Sequence, residues 1–213
     1  MYFFLFWVVT VGGRLYLSHY KYIDLYMSSI HSTLATILYY YIVEYSDNLN
    51  YDLVKHEYDN DVMKNVISFS YFYFIFDTFI VDDIKFKLHH IITLCAFIPT
   101  MYTGKYLMLG AEYLFYAEYP VLLYNYIDYL DRSNRKYIYP VYYKVLALLH
   151  WCMVIHSRLY CLGQISYNCI LYLDKSVCFY ILMTVHTIIY TASVEWVYSR
   201  YKYLTVHQPT TIE

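Results

Sequence analysis

The sequence predicts an all-α fold, a polytopic transmembrane helical bundle or barrel of six to seven spans, and three observations predict it. Of 213 residues, 60% are hydrophobic and 15% charged, against about 25% charged in an ordinary soluble domain. The apolar residues gather in runs near the length of about 20 that crosses a hydrocarbon core about 30 Å thick as a helix. Lys and Arg alternate across the connections between those runs.

The runs lie at 2–17, 23–43, 62–81, 88–103, 106–127, 139–160 and 177–198. The first is short and interrupted by Gly12, Gly13 and Arg14. It reads either as a full span or as an N-terminal anchor, and it lacks the small-residue cleavage site of a removable signal peptide. Arg14, Lys21, Lys85, Lys87, Arg132, Arg135, Lys136, Arg200 and Lys202 fall on one side of the bundle, and Lys55, Lys64, Lys105 and Lys175 on the other. The richer side is cytosolic by the positive-inside rule, and so is the C-terminus. The longest loop, 44–61, carries Asp47, Asp52, Glu57, Asp59 and Asp61. Its carboxylates lack the ordered spacing and turn glycine of a calcium loop, which leaves a solvated lumenal loop.

A net charge of −2 without a cluster of Lys and Arg excludes nucleic acid as an expected partner, since a phosphate-binding face needs concentrated positive charge. Cys95, Cys152, Cys161, Cys169 and Cys178 show no C-x-x-C spacing, so neither a zinc site nor a redox motif is readable. The 33 tyrosines suit an AT-rich genome, such as that of a large DNA virus, and the amphipathic ring is tolerated at membrane interfaces.

Charged groups at the centre of a span cost about 2.5–3.5 kcal/mol on insertion scales, so those retained usually face a bundle interior. Asp24, Ser28 and His31 stand on one face of the second run at helical spacing. Asp77 lies four residues from the cytosolic end of the third, about 6 Å deep. His89 and His90 open the fourth. The short connection 82–87 makes these helices antiparallel neighbours, which lets Asp77 approach one of the two imidazoles and fix its tautomer. Glu118 and Asn125 flank Pro120 in the fifth run, where the proline loosens the helix and frees a carbonyl. His150, His156 and Arg158 follow in the sixth run, and His186 and Glu195 in the seventh. Six runs thus bring a histidine or a carboxylate to middle or cytosolic depth. No E-x-x-H or H-x-x-H-H pattern accompanies them, so no metal is expected.

Together Ser28-Ser29-Ile30-His31, Tyr73-Phe74-Ile75-Phe76-Asp77, Lys87-Leu88-His89-His90-Ile91-Ile92 and Ala117-Glu118-Tyr119-Pro120 with Asn125 resemble the motifs of the TLC-domain family, which includes the ceramide synthases. The likeness runs roughly from Asp24 to Arg200, and Arg158 is similar to the arginine of the span after the proline. Where ceramide synthases carry His-Asp-x-x-Asp, this chain has Asn125-Tyr126-Ile127-Asp128, which brings it closer to the less characterised members. The resemblance implies a helical barrel around a lipid-accessible cavity in an endoplasmic-reticulum-type membrane, the host's if the gene is viral. It divides the chain into a first segment 1–22, a six-helix domain 23–203 and a cytosolic tail 204–213.

Two readings stay open. In the first the protein binds, senses or regulates membrane lipids of the sphingolipid or acyl-lipid kind, with Glu118, Asn125, Asp128, His150, Arg158 and His186 lining the ligand site. In the second it is a ceramide-synthase-like N-acyltransferase with acyl-CoA as substrate and no other cofactor, in which His89 or His90 acts as base or nucleophile, Asp77 orients it and His31 assists. An ion or proton pathway, or a receptor, is a third and weaker reading of buried His and Glu. Membrane lipids are the expected partners, and a homodimer is compatible with either of the first two readings.

Overall fold

The computed structural model describes residues 7–8, 10–13, 16, 22–45, 61–81, 84–103, 107–172 and 175–206. Most of the 2–17 run, the acidic part of the 44–61 loop and the tail from 207 lie outside the described residues. What is described is all-α. The elements are α1 (Ile23–Tyr45), α2 (Asp61–Ile80), α3 (Ile84–Thr103), α4 (Leu107–Glu118), α5 (Val121–Arg132), a 3₁₀ turn (Arg135–Tyr137), α6 (Pro140–Val154), a π-helical segment (Ile155–Cys161), α7 (Leu162–Tyr172) and α8 (Val177–Val206).

Cross-contacts fix the relative direction of several neighbouring helices. Ser32 bonds Glu118, Asn125 bonds Ser29 and Arg132 bonds Asp24, so α1 runs antiparallel to α4 and α5. Asp77 meets His90 and Phe74 meets Phe97, so α2 and α3 are antiparallel. Arg158 reaches Ala117 while Tyr119 reaches Met153, and Ser166 meets His186 while Gly163 faces Tyr190. The described helices group into six passes along the bundle: α1, α2, α3, α4 with α5, α6 through α7, and α8.

Two departures from uniform helix shape the interior. The 106–127 run is two helices, because Pro120 supplies no N–H and its ring crowds the carbonyl four residues back. α4 packs against α1, α2, α3, the π-helical segment and α7, and so occupies the axis. α5 packs, among the described residues, only on α4, α1, α6 and the 3₁₀ turn. The kink at Pro120 therefore carries the chain from the axis toward the periphery, where α5 packs mainly on α1 and α6.

The second departure concerns the run 139–160 and the connection expected after it. That stretch is one continuous helical path to Tyr172, with the π-helical segment in the middle. No residue within Ile155–Cys161 accounts for the wider turn. Its effect is visible: the consecutive residues Ser157 and Arg158 are both buried, as are Cys161 and Leu162. α8 likewise continues past 198 to Val206, so the first residues of the expected tail are helical.

At the turn between α5 and α6, Asn134 takes φ 57°, the left-handed conformation its short polar side chain tolerates, and Pro140 starts α6 at a position that needs no N–H. Arg132 bridges Asp24 (2.8 Å) and Asp128 (2.7 Å), and Lys136 pairs with Asp131. These side chains are partly exposed, and such pairs contribute about 0.2–1 kcal/mol. Arg132→Ala is accordingly expected to lower the unfolding free energy by no more than about 1 kcal/mol, measured by denaturant titration in detergent micelles.

The largest packed cluster joins α1, α2 and α4 around Ile67, Phe69, Phe74 and Ala111, closed by Trp7, whose Nε1 donates to the Phe69 carbonyl at 2.8 Å. Elsewhere the usual distribution is inverted. Tyr26, Ile37, Phe79, Ile98, Leu149, Ile170, Val177 and Tyr198 are exposed, whereas His31, His90, Glu112, Glu118, Asn125, His150, Arg158 and His186 are buried. Among the described residues one helix, Pro140–Leu171, has by itself the length and apolar composition to cross a membrane, and Ile67–Ile80 is a shorter apolar helix.

Candidate functional site

The buried polar groups concentrate where α4 ends. Glu118 is the last residue of the axial helix and faces α1 beside it. Ser32 Oγ donates to Glu118 Oε2 at 2.7 Å, and His31 Nδ1 lies 3.3 Å from the same oxygen. The other His31 nitrogen, Nε2, is 2.9 Å from Ser70 Oγ on α2. The ring is clamped flat against Tyr73, with centroids 3.8 Å apart and planes within 8°. His31 is therefore held from two helices in one orientation, with its two nitrogens assigned to a carboxylate and a hydroxyl.

A second pair lies toward the end of the bundle where α2 gives way to α3. Asp77 Oδ2 is 3.6 Å from His90 Nδ1. Of the two adjacent histidines, it is His90 that meets the aspartate and is buried, while His89, about 100° further around the helix, is only half-buried. A carboxylate at that distance favours the imidazole orientation that leaves Nε2 for other contacts. His90 is also within electrostatic reach of Glu118 and His31, and His89 of Glu118 and Arg158. The two pairs thus belong to one network drawn from α1, α2, α3 and α4.

Arg158 enters from the π-helical segment. Its Nη2 donates to the carbonyl of Ala117 at 2.7 Å, in the last turn of α4 where Pro120 interrupts the ladder. A guanidinium carries five donors in a planar fork, so it can hold this carbonyl while its charge acts on Glu118, His89 and Tyr113 nearby. The helix end and the wide turn are complementary: α4 stops at Glu118, which leaves its last carbonyls without helical donors, and Arg158 takes the one of Ala117.

The remaining expected site residues sit apart. Asn125 bonds Ser29 at 3.1 Å, one helical step below Glu118 on the same side of α1. His150 is buried beside Tyr124. His186 meets Ser166 and stacks edge-on against Tyr113 between α4, α7 and α8. Asp128 belongs to the partly exposed Asp24–Arg132 bridge at the end of the bundle, because the turn of α5 after the kink points it along α1 toward solvent and away from the histidines.

Sequence reasoning passed over Ser32 and Ser70, which with Tyr73 orient His31, and Tyr113, which meets His186 edge-on. In a chain with 33 tyrosines, the only signal for Tyr113 was its i, i+4 spacing to Ala117. Among the described residues no group of three or more His, Cys, Asp or Glu is arranged to hold a metal ion. The chemistry on offer is that of hydrogen-bond donors, oriented imidazoles and one buried guanidinium beside a carboxylate. Comparison with protein-family models, with curated proteins and with solved structures returns no match for this chain.

Proposed function

We propose that the chain is a multi-pass membrane protein of TLC-domain type whose six helical traversals span the bilayer, with the C-terminus cytosolic, and whose axial polar network handles the polar part of a membrane lipid. The observation that carries the reading is the inversion of polarity: ionisable groups are packed on the axis beneath an exterior of large apolar side chains. In water that arrangement forfeits the burial of apolar surface, worth about 25 cal/mol per Å², and places charges where they are most costly. In a bilayer both features become favourable, since the hydrocarbon solvates the exterior and polar residues turn inward.

Hydroxyls on the exposed face of α8 agree with such surroundings. Thr184, Thr187 and Thr191 each donate to the carbonyl four residues earlier at 2.8 Å, which satisfies them without water. The basic residues of the described ends, Arg132, Arg135 and Lys136 among them, gather at the end where α1 starts and α5 finishes, which is the cytosolic end by their excess. The membrane is of endoplasmic-reticulum type, or the host's for a viral gene.

Binding or sensing of lipid is the reading favoured here, because His31, held by Glu118, Ser70 and Tyr73, already has a structural role. An acyl-CoA-dependent acyltransferase is the second reading, supported specifically by Asp77 beside His90. Purification in mild detergent followed by lipid extraction and mass spectrometry tests the first. A defined lipid class should co-purify with the wild type and fall several-fold with Glu118→Gln, and a lipid profile identical to the bulk membrane in both would overturn it. Incubation with acyl-CoA and a long-chain base tests the second: N-acyl product lost in His90→Ala supports it, and equal product in both proteins removes it.

A further inference from the structure

The continuous helical path from Pro140 to Tyr172 turns a polar row outward. Leu148, Cys152, His156, Tyr160 and Gln164 stand four residues apart and are all exposed, while Val154, Ser157, Arg158, Cys161 and Ile165 are buried on the inner side. In an α-helix a step of four residues overshoots a full turn by about 40°, so a row with that spacing winds off its face. The π-helical segment Ile155–Cys161 closes its turns five residues on and undershoots instead, which brings the row back. The wide turn that buries Arg158 therefore also keeps His156, Tyr160 and Gln164 in line on the outside.

His156 is the group out of place in that row. Sixteen residues in from Pro140, it lies about 24 Å along the helix, inside a hydrocarbon core about 30 Å thick that begins at Pro140. Its Nδ1 is 3.1 Å from the Tyr119 hydroxyl, and Tyr160 stacks on its ring with centroids 5.9 Å apart. Cys161 Sγ is 3.9 Å from Nδ1 and 3.8 Å from Nε2. A sulfur almost equidistant from the two nitrogens lies on the hydrogen-bonding direction of neither, and it is a weak partner in any case. Among the described residues Nε2 is thus left without a strong partner, and lipid tails offer none. Polar side chains at such depth turn to another helix.

The chemistry of the row fits a second copy of this chain. Two copies share one topology, so a two-fold axis along the membrane normal sets each residue at the depth of the same residue in the other copy. From Leu148 to Gln164 the row contains no Asp, Glu, Lys or Arg and does not repel itself. Neutral His, Tyr and Gln each both donate and accept, so the row is its own complement. We propose that this face of α6 through α7 is the interface of a parallel homodimer within the membrane, with the His156 imidazole hydrogen-bonded across the two-fold axis. This rests on the reading of the chain as membrane-spanning, and not on the lipid site at its axis.

The test uses the full chain, labelled with donor or acceptor fluorophore at its C-terminus, in phosphatidylcholine vesicles over a range of protein-to-lipid ratios. Energy transfer between copies reads association. The wild type should dimerise, and His156→Leu should associate about tenfold more weakly, because membrane hydrogen bonds are individually modest and the substitution acts twice in a symmetric dimer. His156→Gln keeps a donor and an acceptor and should retain most of the association, which separates the contact from a folding defect. Ile98→Ala, on the exposed side of α3, should associate as the wild type does. Cys152 on the row and Cys95 on α3 are both exposed, so a short bismaleimide should link two copies in a way that Cys152→Ser abolishes and Cys95→Ser does not. A wild type that inserts but stays monomeric, wild-type association in His156→Leu, or linkage that survives Cys152→Ser would overturn the interface, whether lipid or another membrane protein covers the face, and would leave the spanning reading standing. A wild type soluble without detergent would overturn both.

Discussion

Glu118→Ala is expected to destabilise the protein by about 3–5 kcal/mol, the loss seen when one member of a buried, hydrogen-bonded charge pair is removed. The carboxylate accepts from Ser32, sits 3.3 Å from His31 Nδ1 and lies within the field of Arg158. Its deletion leaves a buried hydroxyl without its acceptor, an imidazole without its carboxylate neighbour and a cation with one less balancing anion, in a part of the bundle where Glu118 is 6% exposed. Glu118→Gln retains an acceptor for Ser32 and is expected to cost less than half as much. Hydrogen bonds within membrane bundles average nearer 1 kcal/mol, so the difference between the two substitutions separates the charge from the hydrogen bond. The measurement is equilibrium unfolding in mixed micelles, and a Glu118→Ala midpoint matching wild type would show that the network carries no net stability.

Leu149→Arg is expected to have a comparable effect for an opposite reason. Leu149 lies on the outer surface of the 32-residue helix and is 51% exposed. Surface substitutions on a water-soluble bundle usually stay within about 0.5 kcal/mol. Nine residues in from Pro140, the site is about 13 Å along the helix, close to the middle of a hydrocarbon core about 30 Å thick. There an arginine costs about 2.5–3.5 kcal/mol on insertion scales. Glycosylation mapping of membrane insertion, together with yield in the membrane fraction, reads the outcome. Normal insertion and yield for Leu149→Arg, alongside wild-type solubility without detergent, would contradict the proposed spanning arrangement.

The helical class was legible because hydrophobic run length and the scarcity of Gly and Pro leave little alternative, and because each short connection forces the next helix back alongside the last. The pairing of Asp77 with a neighbouring histidine was legible for the same reason: the expected connection 82–87 is short, and in the structure only residues 81–83 lie between α2 and α3. Which histidine it would be was not. His89 and His90 differ by 100° of helix rotation, and the rotation of α3 is set by how Phe74 and Phe97 pack across it. Pro120 announced a break in the helix, but the donor that meets a carbonyl there, Arg158, lies 41 residues along the chain from Ala117 and comes from a π-helical turn that no residue there signals.

By itself, then, the sequence determined an all-α chain of antiparallel helices with polar residues set at intervals inside apolar runs, since periodicity and run length act locally. Only the tertiary structure decided that α4 is axial and α5 peripheral, that His31, Glu118, Arg158 and His90 form one network, and that Asp128 leaves it for the bundle end. Those outcomes depend on the rotation and kink of each helix, and these are fixed by side chains packing from other helices many residues distant.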